Sequence, residues 1–168
     1  MDEHEVELLL VEDDPNDVEL ALRSLRRHHL VNKIHVARDG EEALDFLLCR
    51  GPFARQAANC PPKVVFLDLK LPKVNGLEVL KEMKSNPRLR AIPVVVMTSS
   101  REQRDVVEGY RLGVNSYIQK PIAFEQFQSV IKDLGYYWLV INHSPPREAF
   151  ADQPLATPPT APAPSNPR

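Results

Sequence analysis

Acids, a threonine and a lysine stand where apolar runs stop. Glu12-Asp13 follows Leu8-Leu9-Leu10-Val11, Asp68 follows Val64-Val65-Phe66-Leu67, Thr98 follows Val94-Val95-Val96-Met97, and Lys120 follows Tyr117-Ile118-Gln119. Short unbroken apolar runs read as strands buried on both faces, the usual state of a parallel sheet. In open α/β sheets the functional crevice lies outside the carboxyl ends of the strands, so these side chains are expected at one edge. Carboxylates crowded there repel one another and raise each other's pKa unless a cation neutralises them. An oxygen-rich acidic set suits Mg2+, which takes carboxylates, waters and a phosphate oxygen. Lys120 adds a point charge for a phosphoryl oxygen and Thr98 a hydroxyl donor. Nucleophile, metal and donors together are what phosphoryl transfer to a carboxylate requires.

Each part also has a plainer reading. Asp14 is a helix-terminal acid beside Pro15, Thr98 a turn residue, Lys120 a surface lysine and Tyr117 half-buried packing. Taken together, at successive strand ends, the residues favour the chemical reading.

The elements that must position them can be read in order. Val6–Val11 predicts a first strand, and Asp14-Pro15 starts a helix that runs to about Arg27 with Val18, Leu22 and Leu25 at helical spacing. Ile34–Ala37 is a second strand, and Asp39-Gly40 opens a second helix reaching to near Cys49. Residues 50–62 read as a long loop, followed by the Asp68 strand and a third helix over Gly76–Lys84. Ile92–Met97 is a fourth strand, Glu102 to Leu112 a fourth helix and Ser116–Gln119 a fifth strand. A fifth helix starts near Ala123, with Phe124, Phe127, Ile131 and Leu134 on one stripe. Strand and helix alternate with short links, which predicts an α/β, flavodoxin-like, doubly wound sheet of five parallel strands in the order 2-1-3-4-5, with helices on both faces. Residues 1–141 form this unit. Its end, Gly135 to Ile141, is aromatic and apolar with no evident place in the core, and 142–168, holding half of the sixteen prolines, reads as a disordered tail.

At 168 residues and 43% hydrophobic content the chain can bury one core. A net charge of −2 gives no footprint for nucleic acid, and Arg23, Arg26 and Arg27 read as a solvated helix face. With no leader-like segment and no apolar run approaching ~18 residues, neither secretion nor membrane spanning is expected, and the chain reads as cytoplasmic. Cys49 and Cys60 read as reduced thiols, and His28, His29, His35 and His143 as structural or surface residues.

The sequence resembles the receiver domain of two-component response regulators over roughly residues 6 to 134. The motifs that carry the likeness are Leu9-Leu10-Val11-Glu12-Asp13-Asp14, Phe66-Leu67-Asp68-Leu69-Lys70-Leu71-Pro72, Val96-Met97-Thr98-Ser99 and Tyr117-Ile118-Gln119-Lys120-Pro121. The resemblance implies that Asp68 accepts a phosphoryl group from the phosphohistidine of a sensor histidine kinase. It makes Asp13 and Asp68 Mg2+ ligands with Glu12 close by and the Lys70 backbone carbonyl contributing. Thr98 and Lys120 would bind the acyl phosphate, with Tyr117 as an aromatic switch. Such a protein is a binding switch rather than an enzyme with an external product. The 51–62 loop, Asn75-Gly76 and the Gly135–Ile141 segment are similar to the regulators paired with bacterial phytochromes. That likeness implies a bacteriophytochrome partner and a homodimer through the fourth helix, fifth strand and fifth helix, with Tyr136, Tyr137, Trp138 and Val140 on the dimer or partner surface. Two other readings stay open here: an interaction module of the same fold that is never phosphorylated, and a Mg2+-dependent aspartyl phosphatase. The second would carry an acid two residues after the nucleophile, where this chain has Lys70.

Overall fold

The structure is a computed structural model that describes residues 6–30, 33–54, 61–121, 123–146 and 150. In chain order its elements are β1 (Leu8–Val11), α1 (Pro15–Arg27), β2 (Ile34–Ala37), α2 (Gly40–Leu47), a 3-10 turn (Gly51–Phe53), β3 (Val64–Leu67), α3 (Gly76–Ser85), β4 (Val94–Thr98), α4 (Gln103–Leu112), β5 (Ser116–Gln119), α5 (Phe124–Tyr136) and a π turn (Tyr137–Ile141). The strands form one parallel sheet in the order β2-β1-β3-β4-β5, as expected from the alternation.

Every residue of β1, β3 and β4 is buried. Side chains alternate between the two faces of a strand, so both faces must be covered. Leu9, Val11, Val65, Leu67, Val94 and Val96 pack into one core with residues of α2 and α3, whereas Leu8, Leu10, Val64, Phe66, Val95 and Met97 pack into another with α1 and α5.

Local chemistry sets where the helices begin. The Asp14 carboxylate accepts from the N–H groups of Asn16 and Asp17, Asp39 from that of Glu42, and Asn75 with Glu78 closes a capping box. Asp14 is therefore occupied as a cap. Gly113, at φ +97°, ends α4 in the left-handed conformation that glycine adopts without strain. Close backbone approach accounts for Gly40 and Gly76. A Cβ at Gly76 would lie 2.2 Å from the Asp68 carbonyl oxygen, and one at Gly40 would lie 1.9 Å from that of Val74.

Several expectations need correction. β4 starts at Val94, because Pro93 has no N–H to give the ladder, although its carbonyl accepts from Val65. The long loop contains a 3-10 turn at Gly51–Phe53, and its residues 55–60, Cys60 included, lie outside the described residues. Phe124 does not join the buried stripe; at the first turn of α5 it is 48% exposed, while Phe127 and Ile131 are buried. The Gly135–Ile141 segment does have a place. It prolongs α5, and Gly135 lets the helix approach Leu25 and Leu30, a Cβ there meeting Leu25 at 2.7 Å. Trp138 and Leu139 pack against the α1/α5 core, leaving Tyr136, Tyr137, Val140 and Ile141 exposed. Packing does not stop at residue 142 either: Phe150 is 8% exposed, in a pocket with Pro62, Ile92, Pro93 and Pro145 below the amino ends of β3 and β4. Residues 147–149 and 151–168 lie outside the described residues.

His28, His29 and His143 are exposed, and His35 stacks on Phe46 with ring centroids 4.3 Å apart. Among the described residues, no helix is long and apolar enough to cross a membrane.

Candidate functional site

Strand register brings the chemical residues to one edge. Val11 of β1 pairs with Ala37 of β2 and Leu67 of β3, so Glu12 and Asp68 leave the sheet side by side. Their backbones are pinned there: Glu12 N–H donates to the Ala37 carbonyl at 3.0 Å, and Asp68 N–H to the Val11 carbonyl at 3.0 Å. Thr98 pairs with Gln119, and the next N–H, that of Lys120, donates to the Thr98 carbonyl at 2.8 Å.

Oxygens of Glu12, Asp13 and Asp68 lie within 4.8 Å of one another, with Glu12 and Asp68 buried and Asp13 exposed. That spacing lets a single ion touch all three, and hard carboxylate oxygens are the donor set of a hard divalent cation. The residues therefore fit such an ion, with Asp13 on the solvent side.

Lys120 closes the cleft from β5. Its ammonium donates to Glu12 Oε2 at 2.5 Å, Asp17 Oδ2 at 2.8 Å and Asp68 Oδ2 at 3.3 Å. Burial alone would lower its pKa, but the bonds to Asp17 and Glu12 and the charge of Asp68 outweigh that and hold it raised. It is therefore a fixed cation. For Glu12 burial dominates: it pushes the carboxyl up to about 7, against the pull of Lys120 and with the help of the Asp68 charge.

Thr98 is fully buried, and its Oγ1 accepts from the Ser100 N–H at 3.2 Å. Both readings of this residue have a footing, since it shapes the turn after β4 and also sits at the site edge. Lys70 is exposed, and its N–H donates to Asp68 Oδ1 at 3.3 Å. Tyr117 has its ring against α4, where a Cβ at Gly109 would lie 3.4 Å from it. Its hydroxyl is buried without a well-formed hydrogen bond, and the neighbouring Ser100 hydroxyl donates to Asp105 at 2.5 Å. Burial, then the Asp105 charge, raises the phenol pKa, with Ser100 pulling the other way.

The loop after Asp68 is held at both ends. Gly76 N–H donates to the Leu69 carbonyl at 2.8 Å, and Lys73 pairs with Asp39 at 3.0 Å and Glu41 at 3.2 Å on the start of α2.

Sequence reasoning passed over Asp17, which reads there as a first-turn acid of a helix. The available signal is periodicity. Asp17, Ala21 and Ser24 share one stripe, Ala21 and Ser24 are buried, and Ser24 Oγ donates to the Gln128 carbonyl of α5. The stripe therefore points towards the strand end that carries Lys120.

The family model described as the response regulator receiver domain matches residues 8–132. The chain belongs to the response regulator receiver family. Among curated relatives, the probable methanogenesis regulatory protein FilR2 of Methanothrix harundinacea is 42% identical over 82% of this chain and 86% of its own. Response regulator Rcp1 of Synechocystis is 38% identical over 79% and 88%. Among solved structures, the bacteriophytochrome response regulator RtBRR is 52% identical, with a TM-score of 0.66 over 85% of this chain and 87% of its own. The phosphorylated cyanobacterial phytochrome response regulator RcpA superposes at a TM-score of 0.79 with 35% identity over 84% and 99%. The Mn2+-bound form of Rcp1 superposes at 0.78 with 35% identity over 83% and 98%. The receiver is thus a two-component response regulator similar to phytochrome regulators, and the same findings turn against the phosphatase and the never-phosphorylated module. Receivers of this kind are in general switches rather than enzymes. The acidic cluster of this receiver and the Mn2+-bound relative together mark a divalent-cation site.

Proposed function

We propose that Asp68 is the phosphoacceptor and that the cation beside it is Mg2+, held by Glu12, Asp13, Asp68 and the Lys70 backbone carbonyl. The observation that carries this reading is the meeting of Asp68, two further acids and the Lys120 ammonium in one cleft. In the transfer an Asp68 carboxylate oxygen attacks the phosphorus of a kinase phosphohistidine. A P–O bond forms, the P–N bond breaks, and its electron pair leaves on the imidazole, which takes up a proton. Bound Mg2+ supplies charge screening for the incoming phosphoryl group. Lys120 keeps its protons throughout and binds a phosphoryl oxygen, while the Thr98 hydroxyl donates to another. Because Thr98 Oγ1 also accepts from the Ser100 N–H, drawing Thr98 towards the phosphoryl group pulls on the turn before α4 and the packing around Tyr117.

The donor is a sensor histidine kinase in the cytoplasm, a bacteriophytochrome by the likeness to RtBRR. The output is protein binding through α4, β5 and α5, in a homodimer that covers exposed Val107, Tyr110, Tyr136, Tyr137 and Val140. Trp138 contributes from the side, since much of it is already packed within the chain.

Incubation with acetyl phosphate and Mg2+, read by intact mass, should add one phosphoryl group, and Asp68→Asn should abolish that gain. Undiminished labelling of Asp68→Asn would remove Asp68 from the role.

A further inference from the structure

Asp17 belongs neither to the acidic triad nor to the acceptor, yet its carboxylate is nearer the Lys120 ammonium than Asp68 is, 2.8 against 3.3 Å. An ammonium has three protons to give, and Glu12, Asp17 and Asp68 offer one carboxylate each. Two of these partners are drawn on by the chemistry itself: Glu12 shares its charge with the cation, and Asp68 becomes an acyl phosphate. Asp17 stays as it is. Its side chain is 30% exposed against 6% for the other two, at the mouth of the same cleft.

Asp17 is also firmly mounted. Its N–H donates to the Asp14 cap at 3.3 Å, and α1 is tied to α5 by the bond from Ser24 to Gln128. The Lys120 ammonium, by contrast, rides on a flexible four-carbon stem with several rotamers available. Once Glu12 and Asp68 are engaged elsewhere, little else among its ion pairs holds it in place.

We propose that Asp17 is a positioning residue for phosphoryl transfer, holding the Lys120 ammonium in the cleft from the α1 side while Glu12 and Asp68 are occupied. The inference rests on Asp68 being the acceptor. It assigns Asp17 no contact with the phosphoryl group, since two anions would repel there; Asp17 acts through Lys120 alone.

The test uses the full chain with Mg2+, acetyl phosphate as donor and intact mass as readout. A charge-assisted hydrogen bond of this kind corresponds to about a tenfold effect, so Asp17→Asn should label about tenfold more slowly, with Asp17→Glu recovering most of the rate. Beryllofluoride binding, followed by 19F NMR, should weaken by a similar factor. In a Lys120→Ala background Asp17→Asn should cost nothing further, a result that a general structural role would not produce. Thermal melts check folding, and Asp17→Ser carries the same comparison should Asn disturb it. Unchanged or faster labelling by a folded Asp17 variant overturns the proposal, as does an equal loss with and without Lys120. Labelling of Asp68→Asn at the parent rate would instead sink the acceptor assignment, and this inference with it.

Discussion

Glu12 shows how a site can be stable only on condition. It is 5% exposed, and burial lifts its carboxyl from 4.5 to about 7. A raised carboxyl binds its proton more tightly in the folded chain than in the unfolded one. Its contribution to stability is therefore fully present below pH 4.5, is lost as pH rises towards about 7, and is a standing cost above that. A divalent cation relieves the cost by taking the place of the proton. Millimolar Mg2+ should therefore raise the urea midpoint more at pH 8 than at pH 5, and Glu12→Gln should lose most of that difference; equal Mg2+ effects at both pH values would contradict this account. At this scale the sequence was informative for Glu12, Asp13, Asp68, Thr98 and Lys120, because each stands at or just past the end of a run that reads as a strand. Asp17 was less plain: the stripe it shares with buried Ala21 and Ser24 aims it inward, but the packing of α1 on α5 decides that it meets Lys120.

The elements were legible for a related reason. β1 and β3 are apolar at every position and β4 at all but its last, Thr98, as a central parallel strand demands, and caps at Asp14, Asp39 and Asn75 mark the helix starts. Less legible was how tightly the loops seat on one another. Gly76 and Gly40 sit where a Cβ would collide with carbonyl oxygens at 2.2 and 1.9 Å, and backbone cannot swing aside as a side chain can. Gly76→Ala and Gly40→Ala should each cost about 2–4 kcal/mol in urea unfolding, and Gly76→Ala should also slow acetyl phosphate labelling by displacing the Asp68 carbonyl. Gly109→Ala is the contrast. Its Cβ meets the Tyr117 ring at 3.4 Å, an ordinary contact, so the gain in helix propensity should keep the change within about 1 kcal/mol of the parent.

Over the whole molecule, function and closure sit at opposite ends of the sheet. The acids and Lys120 gather at the carboxyl ends of the strands, whereas Phe150 seals the amino ends of β3 and β4 between Pro62, Ile92 and Pro93. Composition hid this, since one aromatic in a proline-rich stretch gives no periodicity to read. Phe150→Ala should cost about 3–4 kcal/mol of stability and leave the labelling rate near that of the parent when measured well below the melting temperature. On the α5 side, Val140 is 57% exposed, so Val140→Lys should change monomer stability by under about 0.5 kcal/mol. If the proposed homodimer forms there, the same substitution should move the protein to the monomer position in size-exclusion chromatography with light scattering.

The Tyr117 hydroxyl bears on the proposed switch. A phenol kept dry with only a poorly formed contact to Ser100 gains little from its oxygen, so the ring is held chiefly by its packing beside Gly109. In the proposed switch, a better acceptor for that oxygen would favour the inward ring, and loosening of α4 would favour its release.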